Sequence, residues 1–122
     1  MYIRFVTTQI DSDSHKPQGL FVTMSELLEQ DDLSQTEREQ LKEVEIWFNK
    51  NLPSPGKSFN ARRAIFWYKQ RANNHINKMW ELANLLRLHG YFIEVQKCHR
   101  VVNIIFEDDF QVAAYSSKDD GK

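Results

Sequence analysis

Residues 60–89 read NARRAIFWYKQRANNHINKMWELANLLRLH, and the fold turns on how they are read. Ala61, Ile65, Tyr68, Ala72, Ile76, Met79, Ala83 and Leu86 recur in steps of three and four, the spacing of one helical face. Phe66, Trp80, Leu82 and Leu85 widen that stripe toward a core-facing surface. Arg62, Arg63, Lys69, Asn73, Asn77 and Asn84 fall mostly on other faces. Upstream, Pro53 and Pro55 oppose helix, because proline lacks the amide proton and clashes with the preceding turn. Ser58 or Asn60 can cap the start, and Gly90 can take the left-handed conformation that ends a helix. The pattern predicts one helix over residues 60–89, roughly 45 Å long at 1.5 Å per residue. A rod of that length in so small a chain predicts a bend near Asn73 and Asn74.

Upstream, residues 2–8 are β-branched and aromatic and predict a strand, with Ile3 and Phe5 on one face and Tyr2, Arg4 and Val6 on the other. Residues 11–19 hold two aspartates, two serines, a proline and a glycine, and predict a loop. Leu20, Met24, Leu27 and Leu28 make a helical stripe. Thr23 and Glu26 could instead form a capping box and start that helix later, leaving Phe21 and Val22 extended. Ser34 and Glu37 make a cleaner capping box for a helix from Gln35 to about Lys50. Leu41, Val44, Phe48 and Leu52 are its buried side, with Trp47 beside them.

After Gly90 the period falls from 3.6 to 2. Tyr91, Ile93 and Val95 predict a second strand, Val102, Ile104 and Phe106 a third, and Phe110, Val112 and Ala114 a fourth. Asp108 and Asp109 can turn the chain between the last two, without the glycine that favours a two-residue hairpin. Short connections predict an antiparallel meander. The expected class is α+β: an antiparallel sheet of about four strands, the N-terminal strand plus a C-terminal three-strand meander. Two or three helices would pack on one face, one of them the long helix 60–89. Residues 1–115 form one expected domain, and residues 116–122 a frayed, flexible tail.

Composition narrows function more than it names it. The chain has 122 residues, 41% of them hydrophobic and 27% charged, as in ordinary globular domains. A formal net charge of -1 gives no overall pull toward nucleic acid or acidic membranes. Cys98 is the only cysteine, so no internal disulfide forms, which suits a reducing compartment. No apolar run approaches the roughly 20 residues needed to span a bilayer, and residues 1–6 lack the apolar core of a signal peptide. The expected location is the cytoplasm.

The motifs that resemble chemical sites fail on spacing. Ser54-Pro55-Gly56-Lys57-Ser58 ends like a phosphate-binding loop, but Asn51 stands where its first glycine belongs and a helix precedes it instead of a strand. Asp11-Ser12-Asp13-Ser14-His15 opens like a calcium loop, yet Lys16 takes the place of the turn glycine and Val22 that of the closing glutamate. Cys98 and His99 are weak metal candidates. Neighbours on a strand point to opposite faces, and no second cysteine supports a zinc site. His75 lies one step off the apolar stripe, where histidine is usually a partly buried hydrogen-bonded residue. No serine sits in a nucleophile-elbow pattern.

Charge patterning says more. Between residues 60 and 89 stand Arg62, Arg63, Lys69, Arg71, Lys78 and Arg87 with only Glu81 opposing them, and Phe66, Trp67, Tyr68 and Trp80 are interleaved. That composition would suit nucleic acid. The acidic segment from Glu26 to Glu45 can neutralise it within the molecule instead, which argues against nucleic acid. Trp67 beside Arg63 and Arg71 is a candidate protein contact, since Trp and Arg anchor interfaces; the alternative is that another element covers it.

Ile3-Arg4-Phe5, Gly19-Leu20-Phe21, Trp47-Phe48-Asn49 with Leu52-Pro53, and the run from Phe106 to Ala113 resemble a family of short bacterial α+β proteins over most of the chain. The resemblance implies a bacterial cytoplasmic protein and supplies no activity, cofactor or catalytic residue. The expected function is therefore non-enzymatic: binding a protein partner or a second copy, with Arg63, Trp67, Arg71 and His75 as binding residues and no cofactor. The alternatives are a small enzyme or ligand-binding protein using His75, Glu94, Cys98 and His99 between sheet and helices, and a nucleic-acid binder through the basic aromatic helix.

Overall fold

A computed structural model describes residues 1–10, 12, 15–52 and 64–115. β1 (Tyr2–Ile10) forms where β-branched and aromatic residues dominate. The chain returns through β2 (Pro17–Gly19), antiparallel to β1, with Val6 opposite Gly19 and Ile10 opposite Pro17. This short strand lies within the expected loop. Its proline is tolerated because β2 pairs on one side only.

α1 (Leu20–Leu28) takes the earlier of its two possible starts. Thr23 is buried one turn in. Its hydroxyl donates to the Gly19 carbonyl at 3.4 Å and accepts from Gln18 Nε2 at 2.9 Å, so it does not cap a later helix. α2 (Gln35–Asn51) opens on the expected capping box. The Ser34 hydroxyl accepts from the Glu37 amide at 3.1 Å, and the Glu37 carboxylate accepts from the Ser34 amide at 2.9 Å. Arg38 closes the preceding helix by donating to the carbonyls of Leu28 and Gln30, at 2.6 and 2.8 Å.

The expected rod over residues 60–89 is not there. Within that stretch lie a strand, β3 (Ala64–Lys69), a tight turn, and a helix, α3 (Asn73–Leu88). Ile65-Phe66-Trp67-Tyr68 is a continuous β-branched and aromatic run, the composition of a strand covered on both faces. The apparent helical stripe before residue 72 comes from such a run, in which any spacing finds an apolar residue. The chain breaks beside the asparagines where a bend was expected: the Ala72 amide donates to the Lys69 carbonyl at 2.9 Å, and Gln70 donates to Met1 at 3.1 Å. Gly90 does end the helix, at φ 89°.

β4 (Ile93–Cys98), β5 (Ile104–Glu107) and β6 (Gln111–Tyr115) follow. β5 and β6 form the expected hairpin. Asp108 replaces the missing glycine: one carboxylate oxygen accepts from the amides of Phe110 and Gln111, at 2.8 and 2.9 Å. The three-strand meander is not formed, because β4 crosses to pair with β1, Tyr2 facing Cys98 and Thr7 facing Ile93. Among the described residues the sheet therefore has six strands where the sequence suggested about four. Along the other edge of β1, β3 pairs at Tyr2 and Ile3 while β2 pairs from Val6 onward. β6 lies beyond β3, and β5 beyond β6.

The molecule is α+β, an antiparallel sheet with, among the described residues, three helices packed against it. Phe5, Tyr68 and Ile93 point from the sheet into a core with Leu20, Met24 and Leu27 of α1, Leu41, Val44 and Phe48 of α2, and Met79, Leu82 and Leu86 of α3. Burying side chains of this size stabilises by about 1.5–3 kcal/mol each before entropy is counted. Alternation then sends Arg4, Trp67, Gln96 and Val112 to the opposite face, helix-free among the described residues. Among the described residues no helix is long and apolar enough to cross a membrane.

Candidate functional site

The helix-free face carries a cleft of about 440 Å³. Its lining comes from four neighbouring strands: Arg4 of β1, Ile65 and Trp67 of β3, Gln96 and Cys98 of β4, and Ala114 of β6, with Tyr115 at the strand end, where register turns its side chain with Ala64 toward the other face. One wall is Lys16 and Pro17, where the chain returns into β2. The other is Arg100, Val101 and Val102, between β4 and β5. Three cations from three separate segments, Arg4, Lys16 and Arg100, line this space, and no carboxylate among the described residues does.

Arg4 is buried and fixed in place. Its guanidinium donates to the Pro17 carbonyl at 2.6 Å, tying the floor to one wall. Register sets Gln96 directly opposite it. Trp67 is half-buried, paired with Val112, and the Ile65–Ala114 pair lies beside it.

Cys98 is half-buried in the cleft, opposite Tyr2. Burial pushes its thiol up, against a smaller downward pull from a hydrogen bond with the Arg100 backbone and from the charged N-terminus. A raised thiol stays protonated at neutral pH and is a poor nucleophile. His99 follows the strand end and is exposed. Among the described residues no group of three or more His, Cys, Asp or Glu could hold a metal ion.

The other sequence candidates are dispersed. Arg63 lies outside the described residues, as do the loop Ser54–Ser58 and residues 116–122. Arg71 is exposed in the turn before α3. His75 is buried between Trp47 and Phe110, ring centroids 5.1 and 4.3 Å away. Its Nε2 lies 2.8 Å from the Asn51 carbonyl, which can only accept, so Nε2 carries the proton and ties α3 to the end of α2. Arg63, Trp67, Arg71 and His75 are spaced by four and would share a face only on a continuous helix. Glu94 is exposed on the helix-free face, opposite Val6.

The basic residues of the 60–89 stretch likewise make no single surface. Lys69 pairs with Glu107 at 2.6 Å, Lys78 with Glu81 at 3.1 Å, and Arg87 lies over Trp80. The acidic α2 meets the C-terminal end of α3 through Glu37 and His89, 3.3 Å apart. Trp67 and Cys98, assigned to different hypotheses from sequence, share the cleft, and Arg4, Lys16 and Arg100 join them. The only local hint of these three is Arg4, a charge set between Ile3 and Phe5-Val6 in a strand too apolar to spend one on solvent. No family model, curated protein or solved structure matches the chain.

Proposed function

We propose that the protein is a cytoplasmic, non-enzymatic binding module whose site is the cleft on the helix-free face of the sheet, and that its ligand is a small anion. The observation that supports this reading is the lining itself, which among the described residues includes Arg4, Lys16 and Arg100 and no carboxylate. Arg4 is buried, Lys16 half-buried and Arg100 exposed, and side chains of one sign brought together raise the local concentration of the opposite charge. Guanidinium groups add geometry, since their fork matches the oxygens of a carboxylate or phosphate. The raised Cys98 thiol and the burial of His75 favour binding over nucleophilic or acid–base work. Calorimetric titration with pyrophosphate at low salt tests the reading. Binding should weaken several-fold in Arg100→Gln and fade as salt rises. Heat that is absent at every salt concentration, in protein with native circular dichroism, removes it.

Self-association is the second reading, supported by a different surface. Leu88 and Phe92 are 82% and 67% exposed at the end of α3, next to β4, whose outer edge pairs with no described strand. Exposed apolar side chains beside an open sheet edge are the usual material of an interface between copies. Light scattering should then find a dimer that Phe92→Glu dissociates; a strict monomer at high concentration removes this reading.

A further inference from the structure

Resting on the self-association reading, we infer that two copies join edge to edge through β4, antiparallel about a two-fold axis at Val95, so that their two sheets become one. Hydrogen-bond direction fixes which backbone groups that edge offers. The Lys69 amide donates to the Phe110 carbonyl beside β6, and the Gln70 amide donates to the Met1 carbonyl. Direction alternates along a strand, so Tyr68 and its partner Ile3 bond to each other, while Tyr2, Arg4 and Val6 point the other way, at β4. Their partners there are Cys98, Gln96 and Glu94. The amides and carbonyls of Ile93, Val95 and Lys97 therefore lie on the outer edge, which pairs with no described strand. The Ile93 carbonyl is the one that Arg87 Nη2 reaches, at 3.4 Å, and it keeps a second lone pair.

The other two terminal strands of the sheet are blunted. β2 has three residues and begins on a proline, and β5 has four, with a register shift against β6. β4 has six residues, no proline and an unbroken register with β1. Short, irregular or proline-bearing edges repel an added strand; a longer regular edge accepts one. This edge also fits itself. Opposed residues of an antiparallel pair share a face, so about a two-fold axis each residue meets one an even number of positions from itself. With Val95 against its own copy, Ile93 meets the second copy's Lys97, and all three outward residues of both strands are paired. No other centre pairs all three, and centring on Glu94 or Lys97 would also set like charges opposite each other. On the face shared with Arg4, Glu94 then meets the second copy's Gln96, carboxylate to amide donor. Phe92, 67% exposed, meets its Cys98.

Light scattering over a dilution series of the full-length chain is combined with amide hydrogen exchange at its two ends. The Ile93, Val95 and Lys97 amides should exchange at least about tenfold more slowly in the dimer than in the monomer. The Glu94 and Gln96 amides, held by β1, should be protected at both concentrations. Val95→Pro removes both bonds at the axis, and proline is tolerated where a strand's amide faces outward, so it should weaken dimerisation at least about tenfold. Val95→Thr keeps the amide and should keep the dimer. The exchange readout needs no variant, so it stands whatever proline does to folding. A dimer whose Ile93, Val95 and Lys97 amides exchange as fast as in the monomer overturns the strand pairing and leaves self-association standing. A strict monomer at high concentration ends both.

Discussion

Tyr68 shows how one side chain's position becomes a measurable property. It sits mid-strand in β3, opposite Ile3 of β1 and Gln111 of β6, and its ring turns into the core beside His75. Burial disfavours the charged phenolate, so its pKa is lifted well above the ordinary value of 10.0. In the unfolded chain the phenol ionises near that ordinary value; in the folded chain it keeps its proton. Above about pH 10 the unfolded state therefore binds fewer protons than the native state, and stability falls as pH rises. Tyr68→Phe removes this term. Melting curves from pH 8 to 11.5 should show the variant losing less stability than the parent above pH 10, with the two running parallel below it. Parallel loss throughout would mean that the phenol reaches solvent. His75, beside it, carries the opposite lesson. Its position one step off an apparent stripe marks it as partly buried, yet the Asn51 carbonyl and Phe110 that hold it come from elements no local pattern connects.

At the scale of elements, signals that end or begin a helix were the most legible. Gly90 lies at φ 89°, with its amide donating to Arg87 and the Tyr91 amide donating back to Leu86, at 3.0 and 3.2 Å. Nothing stands within 4 Å of where a Cβ would project. A side chain there meets no clash with its surroundings and costs only the backbone strain of the left-handed region, about 1 kcal/mol for Gly90→Ala. Gly90→Asn should cost less, because asparagine tolerates that region. Urea unfolding of both variants checks the order, and equal losses would mean that the strain is not what glycine relieves. The Ser34–Glu37 capping box was equally readable, since its partners are three residues apart. β3 was not. Its apolar run satisfies a strand and a helix alike, and what decides between them is β6, whose Val112 and Ala113 arrive some forty-five residues later to pair with Trp67 and Phe66. β2 is too short for any periodicity to register, and it exists because β1 offers it an edge.

At the scale of the whole molecule, the parts that sequence concealed are those made by distant segments meeting. Alternation gives each strand two faces but not its neighbours, so β4 could be read as a strand without any sign that Tyr2 would face Cys98. The cleft inherits that blindness: Arg4, Lys16, Trp67 and Arg100 belong to one site only because β1 lies between β4 and β3. The same closure predicts how the chain unfolds. β1 bonds to three strands, and the helices between them roof one face, so neither face can persist once the sheet opens. The described residues should therefore lose structure in one cooperative step. Leu82 in α3 and Val112 in β6 test this from opposite sides of the sheet, each 0% exposed. Leu82→Ala should cost about 2–5 kcal/mol and Val112→Ala about 1–3 kcal/mol, from lost transfer energy and the cavity left behind. Far-ultraviolet circular dichroism follows the helices, and tryptophan fluorescence follows Trp47 and Trp80 on one side and Trp67 on the other. In both variants the two probes should report one shared midpoint, moved to lower denaturant. If Val112→Ala shifts the fluorescence midpoint and leaves the helical signal where it was, the cleft side is a separate unit and the single cooperative domain is lost with it.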